Sequence, residues 1–251
     1  MCGRYYTRRQ KQEIAERLRV KTVFEEPMAP DFNIAPSTFQ PVLRLGRETG
    51  ERELVKLQWG LLPFFAKSRD EYKPFSTFNA RTETIVAALK ELAPNQKARP
   101  SVWREPMKKR RCIVPADGFY EWPESEKKTK GDKHPYAFTL RNGEPFAFAG
   151  LWDAWKEPTG NWLQSYSIVT TEANELMAPI HSRMPVILRE RDWEEWLDRD
   201  DNRSPPFHLL RPYDAEEMQA TPCNPKVGNV RNNGPEMLVC PAPETWPLNS
   251  A

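Results

Sequence analysis

Proline is the residue that most restricts what this chain can fold into. The 251 residues include 25 prolines against 11 glycines, which is about twice the average proline usage. Because proline lacks a backbone N–H and fixes φ, it interrupts helices and the inner strands of sheets. The chain is therefore expected to form short helices and strands joined by long, ordered loops.

The composition fits a polar chain with enough large side chains to anchor one core. Hydrophobic residues make up 39% of the chain, and nine tryptophans and twelve phenylalanines are among them. The net charge of +2 gives no overall polycationic character, so any affinity for nucleic acid must come from local clusters. No apolar run approaches the roughly 18 residues that span a membrane, and no signal peptide is visible at the N-terminus.

Alternating and apolar segments predict a sheet-rich domain with a few helices. Thr7 and Gln10 resemble a capping box for a helix that carries Ile14 and Leu18. The predicted strands cover 41–45, 54–59, 112–116, 119–122, 136–140, 145–152 and 162–170, and a further strand covers 186–188. The other predicted helices cover 82–92, 171–177 and 192–197, whereas 94–111 is predicted as a basic loop and 124–134 as a hairpin tip. Antiparallel strands in this order indicate one α+β domain over residues 1–240, followed by a proline-rich tail over 241–251.

The four cysteines do not form a recognisable framework. Cys2, Cys112, Cys223 and Cys240 are too few and too widely spaced for a disulfide scaffold or a C-x-x-C metal site. No metal and no other cofactor is expected. Reduced thiols are typical of a cytosolic or nuclear protein.

Cys2 has a chemical property that no internal cysteine shares. Removal of Met1 would leave a thiol and a free α-amino group on one residue, with ordinary pKa values near 8.5 and 7.7–8.0. Such a 1,2-aminothiol can form an imine with an aldehyde and then close a thiazolidine ring through sulfur. The alternative is an ordinary small residue at a frayed terminus.

Three further polar positions lie in apolar or turn-rich surroundings. Glu121 stands between two aromatic residues, where burial would raise the pKa of its carboxyl and suit it to proton transfer; a strand glutamate facing water is the alternative. His181 precedes a strand and is suited to proton transfer or to a structural hydrogen bond. Asn79 and Arg81 precede a helix, where they fit an anion site or a plain helix cap.

Basic and aromatic residues suggest contacts to a nucleic acid strand. Arg4, Arg81, Arg183 and the run 108–111 are candidates for phosphate contacts. Phe64 and Phe65 lie in a proline-rich turn and are candidates for stacking on bases. Surface charge and core packing are the alternative interpretations.

Six segments, in order along the chain, together resemble one protein family. They are Met1-Cys2-Gly3-Arg4-Tyr5, Asn33-Ile34-Ala35-Pro36, Trp59-Gly60-Leu61-Leu62-Pro63, Phe78-Asn79-Ala80-Arg81-Thr82-Glu83, the run 111–122 and His181-Ser182-Arg183-Met184-Pro185. Over residues 1 to about 240 the chain resembles the SRAP family (SOS response-associated peptidase). The resemblance implies a twisted, barrel-like core of antiparallel strands with short flanking helices. It also implies a protein that recognises abasic sites in single-stranded DNA and crosslinks to them.

The resemblance implies a role for each candidate catalytic residue. Cys2 resembles the nucleophile that forms the thiazolidine, and Asn79 resembles the asparagine that positions the sugar and the α-amino group. Glu121 resembles the acid–base carboxylate, and His181 resembles the histidine that works beside it on the sugar hydroxyl.

The resemblance also extends to the DNA contacts, with two departures. Arg4 and Arg81 resemble phosphate contacts. Phe64 and Phe65 stand where many relatives have a tryptophan, and Val227-Gly228-Asn229 replaces a more usual Val-Asn-Asn. The implied partner is single-stranded DNA with abasic sites, and no membrane is involved. The implied protein is a monomer, associated with the nucleoid in a bacterium or nuclear in a eukaryote.

Three other functions remain open at the level of sequence. An N-terminal-nucleophile amidohydrolase also begins Met-Cys-Gly, but its Asn-Gly-Asp is represented here only by Asn142-Gly143-Glu144. A thiol peptidase could use Cys2 with the same polar residues, and removal of its own Met1 is the cleavage it would need. A non-catalytic reader of modified DNA would not depend on Cys2 at all.

Overall fold

The computed structural model describes residues 2–90, 101–123, 134–200 and 204–241. Its helices are short, as the proline content predicts. They are α1 Lys11–Arg17, α2 Pro74–Thr77, α3 Thr82–Leu89, α4 Arg104–Lys109 and α5 Trp193–Leu197. The strands are β1 Tyr5–Thr7, β2 Thr22–Val23, β3 Asp31–Ile34, β4 Phe39–Leu45, β5 Arg52–Trp59, β6 Asn79–Arg81, β7 Arg111–Ala116, β8 Gly118–Glu121, β9 Tyr136–Leu140, β10 Phe146–Lys156, β11 Trp162–Glu172, β12 Arg183–Pro185 and β13 Met218–Pro222.

Five strands close into a barrel. Their order is β11–β10–β7–β4–β5, and β5 returns to pair with β11. The ring is antiparallel except at this closure, where Trp59 lies opposite Tyr166 in a parallel pairing. The aromatic side chains of Trp59 and Tyr166 stack on each other, with ring centroids 6.3 Å apart. Closure removes the free sheet edges that would otherwise invite pairing with another chain.

A second, antiparallel sheet carries the N-terminus into the core. Its order is β13–β9–β8–β1–β3, so β1 lies between β8 and β3. Tyr5 of β1 lies opposite Phe119 on one side and Ile34 on the other. Phe119 stacks on Phe138 with centroids 5.0 Å apart and meets Phe148 of the barrel edge-on. The α+β class with a barrel of mostly antiparallel strands is therefore confirmed.

The helix predicted over 171–177 is wrong. β11 continues to Glu172, because its last residues pair with β12. The chain then reverses through turns, and the Asn174 side chain stabilises them by accepting the Met177 N–H at 2.9 Å. Met177, at which the predicted helix would have ended, is buried in the core.

The basic loop predicted over 94–111 is also wrong where α4 forms. Met107 of α4 is fully buried, and this burial holds the segment helical. The Arg111 guanidinium donates to the carbonyl oxygens of Met107 and Trp196, each at 2.5 Å. Burial lowers the pKa of Arg111 to about 10. Arg111 thus ties α4 to α5, and it is not available as a phosphate contact.

Helix α1 has a different cap from the predicted one. Thr7 lies in β1, and Gln10 is the N-cap residue, whose N–H donates to Glu13 Oε2 at 3.1 Å. Ile14 and Leu18 are buried, as the apolar stripe predicts.

Some predictions lie outside the described residues. These are most of the hairpin tip over 124–134 and nearly all of the tail over 241–251, so the domain boundary after residue 240 stays a prediction. All four cysteines are free. Among the residues described, no helix is long and apolar enough to cross a bilayer.

The barrel wall allows no side chain at Gly150. A Cβ there would lie 2.7 Å from Cys112 Sγ and 3.1 Å from Val114 Cγ2. Overpacking of this kind destabilises by about 1–3 kcal/mol, so Gly150→Ala should lower the free energy of unfolding by that amount in a denaturant titration. Gly228→Ala is the control, because a Cβ at Gly228 meets nothing within 4 Å. Equal stability of the two variants would contradict the tight packing described here.

Candidate active site

Cys2 is held inside the protein by neighbours on both sides of β1. Its side chain is fully buried. The Asn79 side chain donates from Nδ2 to the Cys2 carbonyl oxygen at 3.0 Å. Two residues further on, the Arg4 carbonyl oxygen accepts the Tyr120 N–H at 2.9 Å. The backbone around Cys2 is therefore fixed from the barrel and from β8, so the interpretation of Cys2 as part of a frayed terminus is wrong.

Asn79 is placed by the barrel strand β11. It begins β6, which pairs parallel with β11 and sets Asn79 opposite Ile168. The preceding Phe78 carbonyl oxygen accepts from the Trp59 indole at 2.8 Å and from the Ile168 N–H at 2.9 Å. Asn79 is buried, and among the described residues its Oδ1 has no hydrogen-bond partner. The site thus contains a buried acceptor beside the backbone of Cys2.

Glu121 is the last residue of β8, and it is 2% exposed. The interpretation of Glu121 as a strand glutamate facing water is therefore wrong. Its carboxylate lies close enough to the Cys2 thiol for its negative charge to raise the pKa of that thiol. The structure consequently brings Cys2, Asn79 and Glu121 together, although they come from three separate segments of the sequence.

His181 is buried in the loop that precedes β12. Its Nδ1 accepts the Arg183 N–H at 2.9 Å, which leaves the ring proton on Nε2 in the neutral imidazole. Its own N–H donates to the Met177 carbonyl oxygen at 2.9 Å. Met177 and Met184, on either side of His181 in the sequence, pack in the same core cluster as Cys2. These contacts fix the segment between Met177 and Met184, and the hydrogen bond to Nδ1 fixes the tautomer of His181.

The thiol of Cys2 is strongly disfavoured as a thiolate. Burial raises its pKa well above the ordinary value, and the charge of Glu121 raises it further. Close to Cys2, the hydroxyls of Tyr5 and Tyr166 share a buried hydrogen bond of 2.6 Å. Sequence reasoning missed this tyrosine pair, because its members are 161 positions apart. A neutral thiol needs a base before it can act as a nucleophile, and Glu121 is the acidic residue beside it.

Arg4 is bonded within the protein. Its Nη1 donates to Asn33 Oδ1 at 2.6 Å and to the Val227 carbonyl oxygen at 2.8 Å, and its Nη2 donates to the Gly228 carbonyl oxygen at 3.2 Å. The Asn33 side chain also binds the loop, donating to the carbonyl oxygens of Val227 and Asn232 at 3.1 and 2.7 Å. Arg4 and Asn33 therefore fix the 227–232 loop to β1 and β3. The role of Arg4 as a phosphate contact stays a prediction, and the role of Asn33 was missed.

The other two candidate arginines lie on the two strands that flank the end of β11. Arg81 ends β6 and is exposed. Arg183 begins β12, and its guanidinium makes a two-point ion pair with Glu83 at 2.8 and 2.9 Å. The DNA contacts proposed for these residues stay predictions.

Phe64 and Phe65 form an edge-to-face pair on the surface, with ring centroids 5.3 Å apart. Phe64 is 54% exposed. Its N–H donates to Asp153 Oδ2 at 3.1 Å, and the Arg110 guanidinium lies 5.8 Å from its ring centroid. The buried carboxylate of Asp153 also pairs with Arg110 at 3.2 Å. The exposed ring is therefore held on a fixed support, and its contact with bases stays a prediction.

The segment Asn142-Gly143-Glu144 does not join this site. It forms the turn between β9 and β10, with Gly143 at φ 75°. Glu144 pairs on the surface with Arg17 at 2.9 Å. The segment that would stand for the Asn-Gly-Asp of an amidohydrolase is thus engaged elsewhere.

The buried environment of Cys2 predicts how the alkylation rate of its thiol depends on pH. A thiol with a raised pKa stays protonated above pH 8.5, the ordinary midpoint, so iodoacetamide should modify folded Cys2 slowly between pH 7 and 9. Glu121→Gln removes a charge that raises this pKa, and the variant should therefore react at lower pH than wild type. Peptide mass spectrometry after timed labelling measures both rates, with the partly exposed Cys240 as the internal control. Labelling of wild-type Cys2 with a midpoint near pH 8.5 would contradict the buried environment.

The chain matches known proteins over nearly its whole length. Residues 1–230 match the family described as SOS response associated peptidase (SRAP). The chain is 39% identical over 241 residues to the abasic site processing protein YoqW of Bacillus subtilis, and the match covers 95% of this chain and 99% of that one. It is 33% identical to the abasic site processing protein HMCES of Rattus norvegicus, covering 83% of this chain and 64% of that longer protein.

A solved structure gives the same result for the fold. A protein of Bacteroides thetaiotaomicron superposes with a TM-score of 0.77 at 25% identity, and the match covers 94% of this chain and 98% of that one. The six motifs, the barrel and these similarities agree. The chain belongs to the SRAP family.

Proposed function

We propose that this protein processes abasic sites in single-stranded DNA by binding the opened deoxyribose covalently through Cys2. The relatives that share nearly all of its length are named abasic site processing proteins. The observation that carries the proposal is the arrangement around Cys2, whose carbonyl oxygen is bound by Asn79 and whose buried thiol is within range of the charge of the buried Glu121. This arrangement presents the N-terminal backbone and a reactive side chain to one substrate.

The proposed chemistry requires Cys2 to be the first residue of the working protein. The free α-amine adds to the C1′ aldehyde of the opened sugar, and one water leaves to give an imine. The thiol sulfur then adds to the imine carbon, and its proton is transferred to the nitrogen. The product is a thiazolidine ring, and the net loss is one water. An imine alone hydrolyses readily, so capture by sulfur makes the link durable.

Each polar residue of the site has a place in this sequence of steps. Glu121 transfers a proton from the α-amine to the leaving hydroxyl, which departs as water, and it later transfers the thiol proton to the ring nitrogen, as a buried carboxyl group can. Asn79 holds the Cys2 backbone and offers its Oδ1 to the amine or to a sugar hydroxyl. His181, which carries its ring proton on Nε2, acts on the sugar hydroxyl during ring opening.

The strand on either side of the lesion would be bound by charge and stacking. Arg81 and Arg183 would contact phosphates, and Phe64 with Phe65 would stack on bases. A single strand can bend into the site without the cost of unpairing. We further propose that the protein acts as a monomer, without a cofactor, in the cytoplasm of a bacterium or in the nucleus of a eukaryote.

A peptidase activity directed at the protein's own Met1–Cys2 bond is a second candidate. The Cys2 side chain is fully buried, so a peptide from another molecule would have to displace the chain to reach it. The bond that precedes Cys2, by contrast, belongs to the same residue as the thiol. Burial thus favours self-processing over general proteolysis, and the same thiol would then serve both steps.

The proposal predicts an adduct that depends on one thiol. Wild-type protein incubated with a single-stranded oligonucleotide containing one abasic site should give a band that survives heat and denaturant. Cys2→Ala and Cys2→Ser should give no such band, whereas Cys240→Ser should match wild type. Glu121→Gln should slow formation by a factor of about 10² or more, the contribution typical of general acid–base catalysis. A heat-stable adduct from Cys2→Ala would show that the mechanism is wrong.

The α-amine can be tested apart from the thiol. A short Gly-Ser extension placed before Cys2 keeps the thiol but removes the amine that forms the imine. This variant should give no heat-stable adduct, and release of the extension by a site-specific protease that leaves Cys2 first should restore it. Gel analysis before and after cleavage is the measurement. An adduct of wild-type yield from the extended protein would exclude a thiazolidine.

A further inference from the structure

The ion pair between Glu83 and Arg183 joins the first turn of α3 to the start of β12, two residues after His181. Arg183 Nη1 donates to Glu83 Oε1 at 2.8 Å, and Nη2 donates to Glu83 Oε2 at 2.9 Å. Nη2 also donates to the Thr170 carbonyl oxygen at 2.8 Å. The backbone N–H of Arg183 donates to His181. The pair therefore stands beside a residue of the candidate active site.

A count of donors shows how little of Arg183 is left for a ligand. A guanidinium has five N–H groups, and Glu83 and Thr170 occupy three of them. The Nε atom is buried from solvent, so its N–H cannot be reached. One N–H on Nη1 remains. While Glu83 stays in place, Arg183 can therefore make at most one hydrogen bond to a phosphate instead of a two-point contact.

The Glu83 carboxylate binds Arg183 in the same two-point geometry that a DNA phosphate would use. Carboxylate and phosphate both accept two parallel hydrogen bonds from a guanidinium. The Glu83 side chain is 57% exposed, whereas that of Arg183 is 16% exposed. The carboxylate also accepts the Thr82 hydroxyl at 3.0 Å. Because its own side of the ion pair is exposed to water, turning it away from Arg183 costs about 1 kcal/mol. Arg183 stays anchored by Thr170 and by the pairing of β12 with β11.

We propose that Glu83 occupies the phosphate position of Arg183 in the free protein and is displaced when a DNA strand binds. The inference rests on the proposed function, because it requires a DNA backbone at this ion pair. Glu83 then acts as an internal competitor that weakens binding to any strand. Only the Glu83 side chain has to move, so the competition affects the binding equilibrium and leaves the rate of adduct formation on bound DNA unchanged.

The chain offers a matched control for the charge itself. Glu172 lies opposite Arg183 in the β11–β12 pairing, is exposed, and lines the same surface groove as Glu83. Among the described residues, its carboxylate makes no hydrogen bond to Arg183. Glu172→Gln therefore removes the same charge close to the same arginine without releasing the guanidinium.

The test measures binding and chemistry separately. Binding is titrated by fluorescence anisotropy with a single-stranded oligonucleotide that carries a tetrahydrofuran abasic analogue, which cannot form an imine. Glu83→Gln should bind roughly five-fold tighter than wild type, the factor that corresponds to a surface ion pair of about 1 kcal/mol. Glu172→Gln should change affinity by clearly less. In an Arg183→Gln background, Glu83→Gln should tighten binding no more than Glu172→Gln does.

The rate of adduct formation on saturating abasic DNA should be the same for Glu83→Gln and wild type. Equal affinities of Glu83→Gln and Glu172→Gln, weaker binding by Glu83→Gln, or full retention of its gain without Arg183 would each overturn the inference. Failure of wild-type protein to form any Cys2 adduct would instead overturn the proposed function. The two failures are therefore read from different measurements.

Discussion

The burial of the first strand is the constraint on which the rest of the site depends. Chain ends usually fray, yet β1 is a middle strand between β8 and β3. The Asn79 side chain holds the Cys2 carbonyl oxygen, and the Arg4 side chain binds a loop more than two hundred residues later. Barrel, second sheet and C-terminal loop thus all serve to fix the position of one residue near the N-terminus.

Burial also sets the chemistry. It raises the pKa of the Cys2 thiol, and the nearby charge of Glu121 raises it further. A thiol in this state reacts slowly by itself, and in the proposed mechanism Glu121 activates it. In the proposed mechanism, reactivity is thereby limited to a substrate that is positioned next to this buried residue.

Much of the fold could be predicted from sequence patterns, because the apolar segments that predicted β9 and β10 are largely buried. Helix α4 could not be predicted, because its charged residues indicated a solvated loop. The burial of Met107, which stabilises the helix, is not visible in that pattern. The candidate residues Cys2, Asn79, Glu121 and His181 were found by motif, and the proximity of the first three followed only from the pairing of distant strands. The partners of Arg4 and Arg183 lie 223 and 100 positions away. No local pattern could reveal that these cations are already bonded.

The central claim is that the thiol and the α-amine of Cys2 together capture the sugar. Mass spectrometry of the proteolysed, unreduced adduct tests it most directly. The account predicts an N-terminal peptide that begins at Cys2, carries the deoxyribose fragment minus one water, and resists alkylation at sulfur. A modified peptide that retains Met1, or a link that survives only after borohydride reduction, would contradict it.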